Sequence, residues 1–341
     1  MNDRSTMHNF VLRDSRSRSY GVRPVHLVIT SPPYPMLGMW DELFSKLDPN
    51  IQTLLHDGEL NSAFELMHRQ LDMVWSNMID HLLPGGFLCI NVGDALRRNG
   101  ESFCLFPNHS RIQWSLFSHG LVPLPGIIWR KKPNKPNKFL GSGMLPAGAY
   151  ATLEHEHILI FRKGQNREFR NEEKQRRWES ALFWEERNEW YSDLWEEIPG
   201  EKQKMIAGRR AASFPVEVAL RLIRMFSVYG DTVMDPFAGT GTTAIAAAAA
   251  CRNSISFEVD EAYLEISERR FLASSPLLRS LCQERIEGHT AQPPHRGKRY
   301  LNKFHHFNVH SIQEREIVCP MPVSVERAGS HAYRVDYSLP V

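Results

Sequence analysis

The chain has 341 residues, 42% of them hydrophobic, which is enough for one large soluble α/β domain with insertions or for two smaller domains. A formal net charge of +2 gives no strong overall field, so any nucleic-acid partner must be held by local basic patches. Five cysteines, odd in number and never in a C-x-x-C pair, argue against a disulfide framework or a zinc module, and no run approaches the ~18 apolar residues that a membrane span needs.

Met1 to Gly21 is polar and rich in Arg and Ser, with no apolar stretch of the signal-peptide kind, so a cytoplasmic location is expected, with no membrane partner. The apolar run Val25 to Ile29 then stops at Thr30-Ser31-Pro32-Pro33-Tyr34-Pro35. Consecutive prolines can neither donate to a ladder nor continue a strand, so this reads as a buried parallel strand delivering a rigid loop at its carboxyl end, where open α/β sheets keep their active sites. Met36 to Asn50, with Met39, Trp40, Asp41 and Phe44, is expected to be a loop or short helix near that pocket.

Apolar residues at helical spacing predict a helix over Asn61 to Leu83, ended by Pro84-Gly85-Gly86 before a strand from Phe87 to Val92. A further helix is predicted over Phe106 to His119, and strands over Leu121 to Arg130 and Leu153 to Phe161. Between those strands, Lys131 to Lys138 is basic and broken by prolines, a solvated loop that would also suit phosphate contacts. His155 and His157 share one strand face, but no third ligand lies near them in sequence and no metal is expected. From Gly164 to Gly200 basic and aromatic residues interleave (Arg167, Arg176, Trp178, Trp184, Trp190, Trp195). Two readings fit: an inserted subdomain with a DNA-facing basic surface, or a helical cap whose tryptophans are core and whose arginines pair with Glu172, Glu173, Glu185 and Glu186.

Phe214 to Tyr229 is predicted as a helix with Pro215 in its first turn, leading into the short strand Thr232 to Asp235. Next come the glycine loop Pro236-Phe237-Ala238-Gly239-Thr240-Gly241-Thr242-Thr243, an alanine-rich helix over Ala244 to Ala250, and a strand Ser254 to Phe257 that finishes at Glu258. Glycines allow a tight strand-to-helix turn and let a ligand approach bare amides at the helix amino end, and Glu258 stands where the ribose-binding carboxylate of nucleotide folds should. Together these make a nucleoside-cofactor site, and the absence of G-K-[ST] excludes a P-loop.

With both loops in view, the sequence resembles the amino-directed DNA methyltransferases that use S-adenosylmethionine, in their permuted β-type order. Ser31-Pro32-Pro33-Tyr34 matches the D/N/S-P-P-Y loop, and Phe237-Ala238-Gly239-Thr240-Gly241 matches F-x-G-x-G, with the P-P-Y loop first in the chain. The likeness extends over Phe214-Pro215, Trp195, the strand from Glu156 to Lys163, Glu258 and Tyr263, roughly residues 25 to 270. Arg210 and Ala211 stand where the family often has His-Pro, and the tail from about Ser274 matches no known pattern; its basic segment, Arg296, Lys298, Arg299 and Lys303 beside His305-His306, is expected to be solvated or DNA-facing.

The resemblance implies a Rossmann-like doubly wound sheet in circularly permuted motif order, with a single domain over 22–275, a target-recognition insertion at about 164–205, and a carboxyl-terminal extension over 276–341. It implies S-adenosylmethionine bound by Phe214, Pro215, Asp235, Phe237, Gly239, Gly241, Thr242 and Glu258, and a catalytic loop of Ser31, Pro32, Pro33 and Tyr34. The Ser31 hydroxyl and the Pro32 carbonyl would accept hydrogen bonds from the exocyclic amine of a flipped base, drawing its nitrogen towards a tetrahedral form, while Tyr34 stacks on the extruded ring. Serine at the head of the loop leans towards cytosine N4, with adenine N6 the alternative. No cysteine follows a proline, so the carbon-5 cytosine chemistry is excluded. Implied partners are double-stranded DNA and, functionally rather than physically, a cognate restriction endonuclease, with a homodimer left open. A nicotinamide-dependent oxidoreductase fits the glycine loop and Glu258 but leaves Ser31 to Tyr34 unexplained; a DNA-binding regulator with a vestigial cofactor site is the third reading.

Overall fold

The structure is a computed structural model and describes residues 4–18, 23–99, 102–131, 140–201, 204–206, 209–211, 213–292 and 300–340. Most of the basic loop 131–138, and Arg296, Lys298 and Arg299 of the tail, lie outside the described residues.

The run Val25–Thr30 does form a strand, β2, buried on both faces: Leu27 and Ile29 point into one apolar layer and Val25 and Val28 into the other. Such two-sided burial is what a β-branched, non-alternating run requires. Around it lies a ten-stranded mixed sheet, made by β1 (Arg4–Leu12), β2, β3 (Leu82–Val92), β4 (Val122–Arg130), β5 (His155–Arg162), β6 (Leu194–Trp195), β7 (Thr232–Asp235), β8 (Asn253–Glu258), β9 (Met321–Arg327) and β10 (Ala332–Ser338). Their spatial order is β6-β4-β5-β3-β2-β7-β8-β1-β10-β9. The strands from β3 through β2, β7 and β8 to β1 run parallel, and antiparallel strands flank them on both sides. β2 and β7 are direct neighbours, Leu27 opposite Val233 and Val28 opposite Met234, so the proline loop and the glycine loop leave the same edge of the sheet.

Helices cover both faces. On one side pack α1 (Asp41–Leu47), α2 (Asn50–His56), α3 (Leu60–His81) and α4 (Asn108–Ser118), with Trp75 and Met67 of α3 fully buried. On the other lie α7 (Val216–Phe226), capped by Pro215, and the alanine helix α8 (Thr242–Ala249), every residue of which is buried. Only small side chains let α8 sit this close to the sheet. Pro84-Gly85-Gly86 does not precede β3, as the sequence suggested, but bulges inside it: Gly85 has φ +78°, and the register jumps from Val25 opposite Leu82 to Leu27 opposite Phe87.

The limits 22 and 275 do not bound the sheet. β1 lies before them and β9 and β10 after, with Tyr333, Val335 and Tyr337 in the same core as Leu27. Within residues 164–205 stand α5 (Glu172–Glu179), α6 (Trp184–Trp190) and the edge strand β6. Trp190 and Trp195 are core, as a cap requires, whereas Trp178 and Trp184 are exposed. Arg167 pairs with Glu173 and Asp231, and Glu186 with Arg285 of α10 (Ser275–Thr290), which follows α9 (Glu261–Leu272). Among the described residues no helix is long and apolar enough to cross a membrane.

Candidate active site

A cavity of about 720 Å³ opens over the carboxyl ends of β2, β7 and β8. That volume lies in the usual range for a small-molecule site. Its walls include Ser31, Pro33, Phe214, Asp235, Phe237, Gly239, Thr242 and Glu258. Pro32, Tyr34, Pro215 and Gly241 do not line it. Pro32 and Pro215 are buried, the latter as the cap of α7; Gly241 caps α8 in the left-handed region at φ +79°, and a Cβ there would come within 3.0 Å of the Ser267 Cβ.

Asp235 ties the two loops together. Its Oδ1 accepts from the Thr30 hydroxyl at 2.7 Å and the Phe237 amide at 3.0 Å, and its Oδ2 accepts from the Thr243 hydroxyl at 2.5 Å. Full burial pushes its pKa up while these three bonds oppose the rise. Glu258, at the end of β8, holds the glycine loop from the other side. Its Oε2 accepts from the Gly239 amide at 2.8 Å, and its Oε1 from the amides of Val259 and Asp260 at 2.9 and 3.0 Å. Burial raises its pKa as well.

The cavity therefore has carboxylates on its floor, backbone of a glycine loop on one side (Gly239 at φ +51°) and aromatic rings around it, Phe214, Phe237, Trp40 and Tyr263. An adenosine with a charged amino-acid tail matches that chemistry: carboxylate acceptors for hydroxyls, aromatic surface for a purine, and acidic groups for a cation. Met39, Trp40 and Phe44 reach the cavity, as expected of their segment. Sequence reasoning missed Arg13 to Arg16, which follow β1 and also line it. Ser15 donates to the Pro236 carbonyl at 2.6 Å, and Arg16 bonds Asp14 at 2.7 Å and Gln70 of α3 at 2.7 Å.

Beneath the proline loop, Tyr34 is half-buried and its hydroxyl is the centre of a polar cluster. It lies 3.0 Å from Ser31 Oγ, 3.1 Å from Glu156 Oε2 and 3.1 Å from Asn91 Nδ2. Asn91 also donates to Glu156 Oε2 at 2.6 Å, and Lys131 pairs with Glu156 Oε1. Burial first, and then the Glu156 charge, hold the phenol well above its usual pKa, so it stays a donor. A Cβ on Gly93 would stand 3.1 Å from the Tyr34 ring and 3.3 Å from Glu156 Cγ, which explains glycine there.

Two groups of potential metal ligands converge among the described residues, Asp94 with His109 and His157, and Glu185 with His289 and Glu314. Asp94 already accepts from the His109 amide at 3.1 Å and contacts its Nδ1 at 2.8 Å, capping the start of α4, and Glu185 is 2.7 Å from His289 Nδ1.

The family profile of the N6/N4 methyltransferases, described as DNA methylase, matches residues 25–269. The chain is 44% identical over 320 residues to the type II methyltransferase M.MthZI of Methanothermobacter thermautotrophicus, with 92% of this chain and 90% of that protein covered. It is 46% identical over 280 residues to the type II methyltransferase M.MjaI of Methanocaldococcus jannaschii, covering 79% of this chain and 92% of that one. A chain of Thermus thermophilus, described as a putative DNA modification methylase and solved in complex with S-adenosyl-L-methionine, superposes with a TM-score of 0.61 at 34% identity, over 78% of this chain and 93% of its own. Two adjacent strands that bring a proline loop and a glycine loop to one cavity, and a family match that spans both, place this chain among the N6/N4 DNA methylases.

Proposed function

We propose that this DNA methyltransferase moves a methyl group to the N4 amine of a cytosine flipped out of duplex DNA, as the modification half of a type II restriction-modification system. Its cofactor is S-adenosylmethionine. When bound, the cofactor supplies an electrophilic methyl on a sulfonium. Glu258 would accept from the ribose hydroxyls, Phe214 and Phe237 would flank the adenine, and the Gly239 to Gly241 backbone with Thr242 would face the amino-acid portion. Asp235 already gives its carboxylate to Thr30, Phe237 and Thr243, so its main work is to hold the proline loop in register with the glycine loop.

Ser31 lines the cavity at the end of β2, and this observation carries the proposal. An exocyclic amine donating to Ser31 Oγ and to the Pro32 carbonyl loses conjugation with its ring and gains a lone pair directed away from those acceptors. Serine, rather than an acidic or amide side chain, heads the loop, which by family resemblance favours cytosine N4. Tyr34, next to Pro33 of the cavity wall, would stack on the extruded base by family resemblance, a contact worth about 1–3 kcal/mol by the usual stacking increment. The deciding experiment is long-read sequencing, sensitive to modified bases, of DNA from cells expressing the protein. N4-methylcytosine at one recurring site is the expected result; N6-methyladenine there would transfer the mechanism to the other base, and unmodified DNA would refute both.

A further inference from the structure

The hydroxyl of Ser31, a residue of the cavity wall, is not free to turn as it likes. Tyr34 has one phenolic proton, and around its hydroxyl stand Ser31 Oγ at 3.0 Å, Asn91 Nδ2 at 3.1 Å, Glu156 Oε2 at 3.1 Å and, farther off, the Asn91 carbonyl at 3.5 Å. The amide nitrogen only donates, the Asn91 carbonyl is at the limit of a hydrogen bond and Ser31 Oγ is a neutral acceptor, so the phenolic proton goes to the charged Glu156 carboxylate, which only accepts. The Tyr34 oxygen is then an acceptor towards Ser31, and the Ser31 proton points back at Tyr34. What remains on the cavity side of Ser31 Oγ is lone pairs.

This direction matters for the chemistry. An amine approaching Ser31 must donate a hydrogen bond to it and keep its own lone pair for the methyl group. Were the Ser31 proton aimed into the cavity instead, it would bond that same lone pair and oppose the transfer. We infer that Glu156 is a positioning residue for methyl transfer: acting through the Tyr34 hydroxyl, it turns the Ser31 proton away from the cavity and makes Oγ an acceptor for the target amine. Lys131 on its Oε1 and Asn91 on its Oε2 keep the carboxylate fixed, and Gly93 leaves room for Tyr34 and Glu156 to meet. Glu156 comes from β5 and Asn91 from β3, neighbouring antiparallel strands, so the device is set by the sheet rather than by the proline loop.

This inference rests on the proposed role of Ser31 as amine acceptor. Glu156→Gln tests it, because Lys131 would hold the glutamine oxygen and present its NH2 to Tyr34, so that the phenolic proton loses its acceptor there and turns towards Ser31. Single-turnover methyl transfer to duplex DNA from labelled cofactor should fall by about ten- to a hundredfold, while the dissociation constants for S-adenosylmethionine and DNA stay within about threefold of the parent. Tyr34→Phe cuts the link. In that background Glu156→Gln should change the rate by less than about twofold, since both act through one hydroxyl. Transfer by Glu156→Gln at the parent rate would overturn the inference, as would an equal loss in the Tyr34→Phe background or a loss explained by weaker binding. The parent enzyme is measured in the same assay. If it moves no methyl group to DNA, the underlying functional reading has failed; if it does and Glu156→Gln matches it, only the role of Glu156 has.

Discussion

Glu258 is asked to do two things at once. It accepts three backbone amides, from Gly239, Val259 and Asp260, and by the proposed function it also accepts from a ribose. Glu258→Ala removes those acceptors together, so S-adenosylmethionine should bind about 10- to 100-fold more weakly, the equivalent of about 1.5–3 kcal/mol for a charged hydrogen bond. Isothermal titration measures it, and an unchanged dissociation constant would take Glu258 out of the site. Affinity for DNA without cofactor should hardly change. Ser31 was legible because it ends an apolar strand beside two prolines, and Glu258 because it ends the strand that follows the glycine loop and its helix. The partners of Tyr34 were not: Asn91 and Glu156 reach it from β3 and β5, 57 and 122 positions away along the chain. Arg13 to Arg16 were missed for another reason. The strand before them buries Thr6, His8 and Phe10 and turns Met7 and Leu12 outward, so its hydropathy pattern is close to inverted. Its inward polar groups are satisfied, Thr6 by Tyr337 at 2.9 Å and His8 by Ser254 at 2.8 Å, and burial drops the His8 pKa to about 3, so it is neutral.

Among the elements, α10 and α6 are fastened by a buried charge. His289 on α10 is stacked on Phe183 at 4.1 Å, with Nδ1 2.7 Å from Glu185 and Nε2 2.9 Å from the Asn308 carbonyl. Both partners are acceptors, so the protonated ring, with a proton on each nitrogen, is the form that satisfies both. Burial works against that charge, but the bond to Glu185, the Asn308 carbonyl and the charges of Glu185 and Glu314 outweigh it and raise the pKa. A histidine raised in the folded state stabilises fully below its unfolded value of about 6.5, and the contribution disappears as pH climbs through the folded value. His289→Gln should therefore lower the melting temperature more at pH 6 than at pH 9. The difference at pH 6 corresponds to about 1.5–3 kcal/mol, the usual worth of a hydrogen bond to a charged group. Thermal unfolding of both proteins at the two pH values checks it, and a gap that does not narrow with rising pH would show His289 to be neutral. The strands β2, β3, β4, β5, β7 and β8 and the helices α3, α4, α7 and α8 followed from periodicity and punctuation; this clasp did not, because its histidine lies in a tail with no recognisable pattern.

For the molecule as a whole, the last strands are structural members of the sheet. Removing residues 276–341 would strip Tyr333, Val335 and Tyr337 from the core and leave β1 as a bare edge. Three such side chains are worth about 5–9 kcal/mol at the usual burial increment, which rivals the ~5–15 kcal/mol that holds a whole domain together. The truncated chain is expected to lose its cooperative thermal transition by circular dichroism, whereas a transition within a few degrees of the parent would show the tail to be dispensable.

β1 and β10 are antiparallel neighbours, with Arg4 opposite Tyr337, so the first and the last described strands meet across one ladder. A short peptide joining them would make the chain a closed loop without disturbing a strand. Opened again between residues 201 and 213, that loop would be read from the glycine turn to the proline turn, with the same neighbours in the same sheet. Which motif a gene encodes first is thus a choice of where the loop is cut, and the cavity between β2 and β7 is indifferent to it.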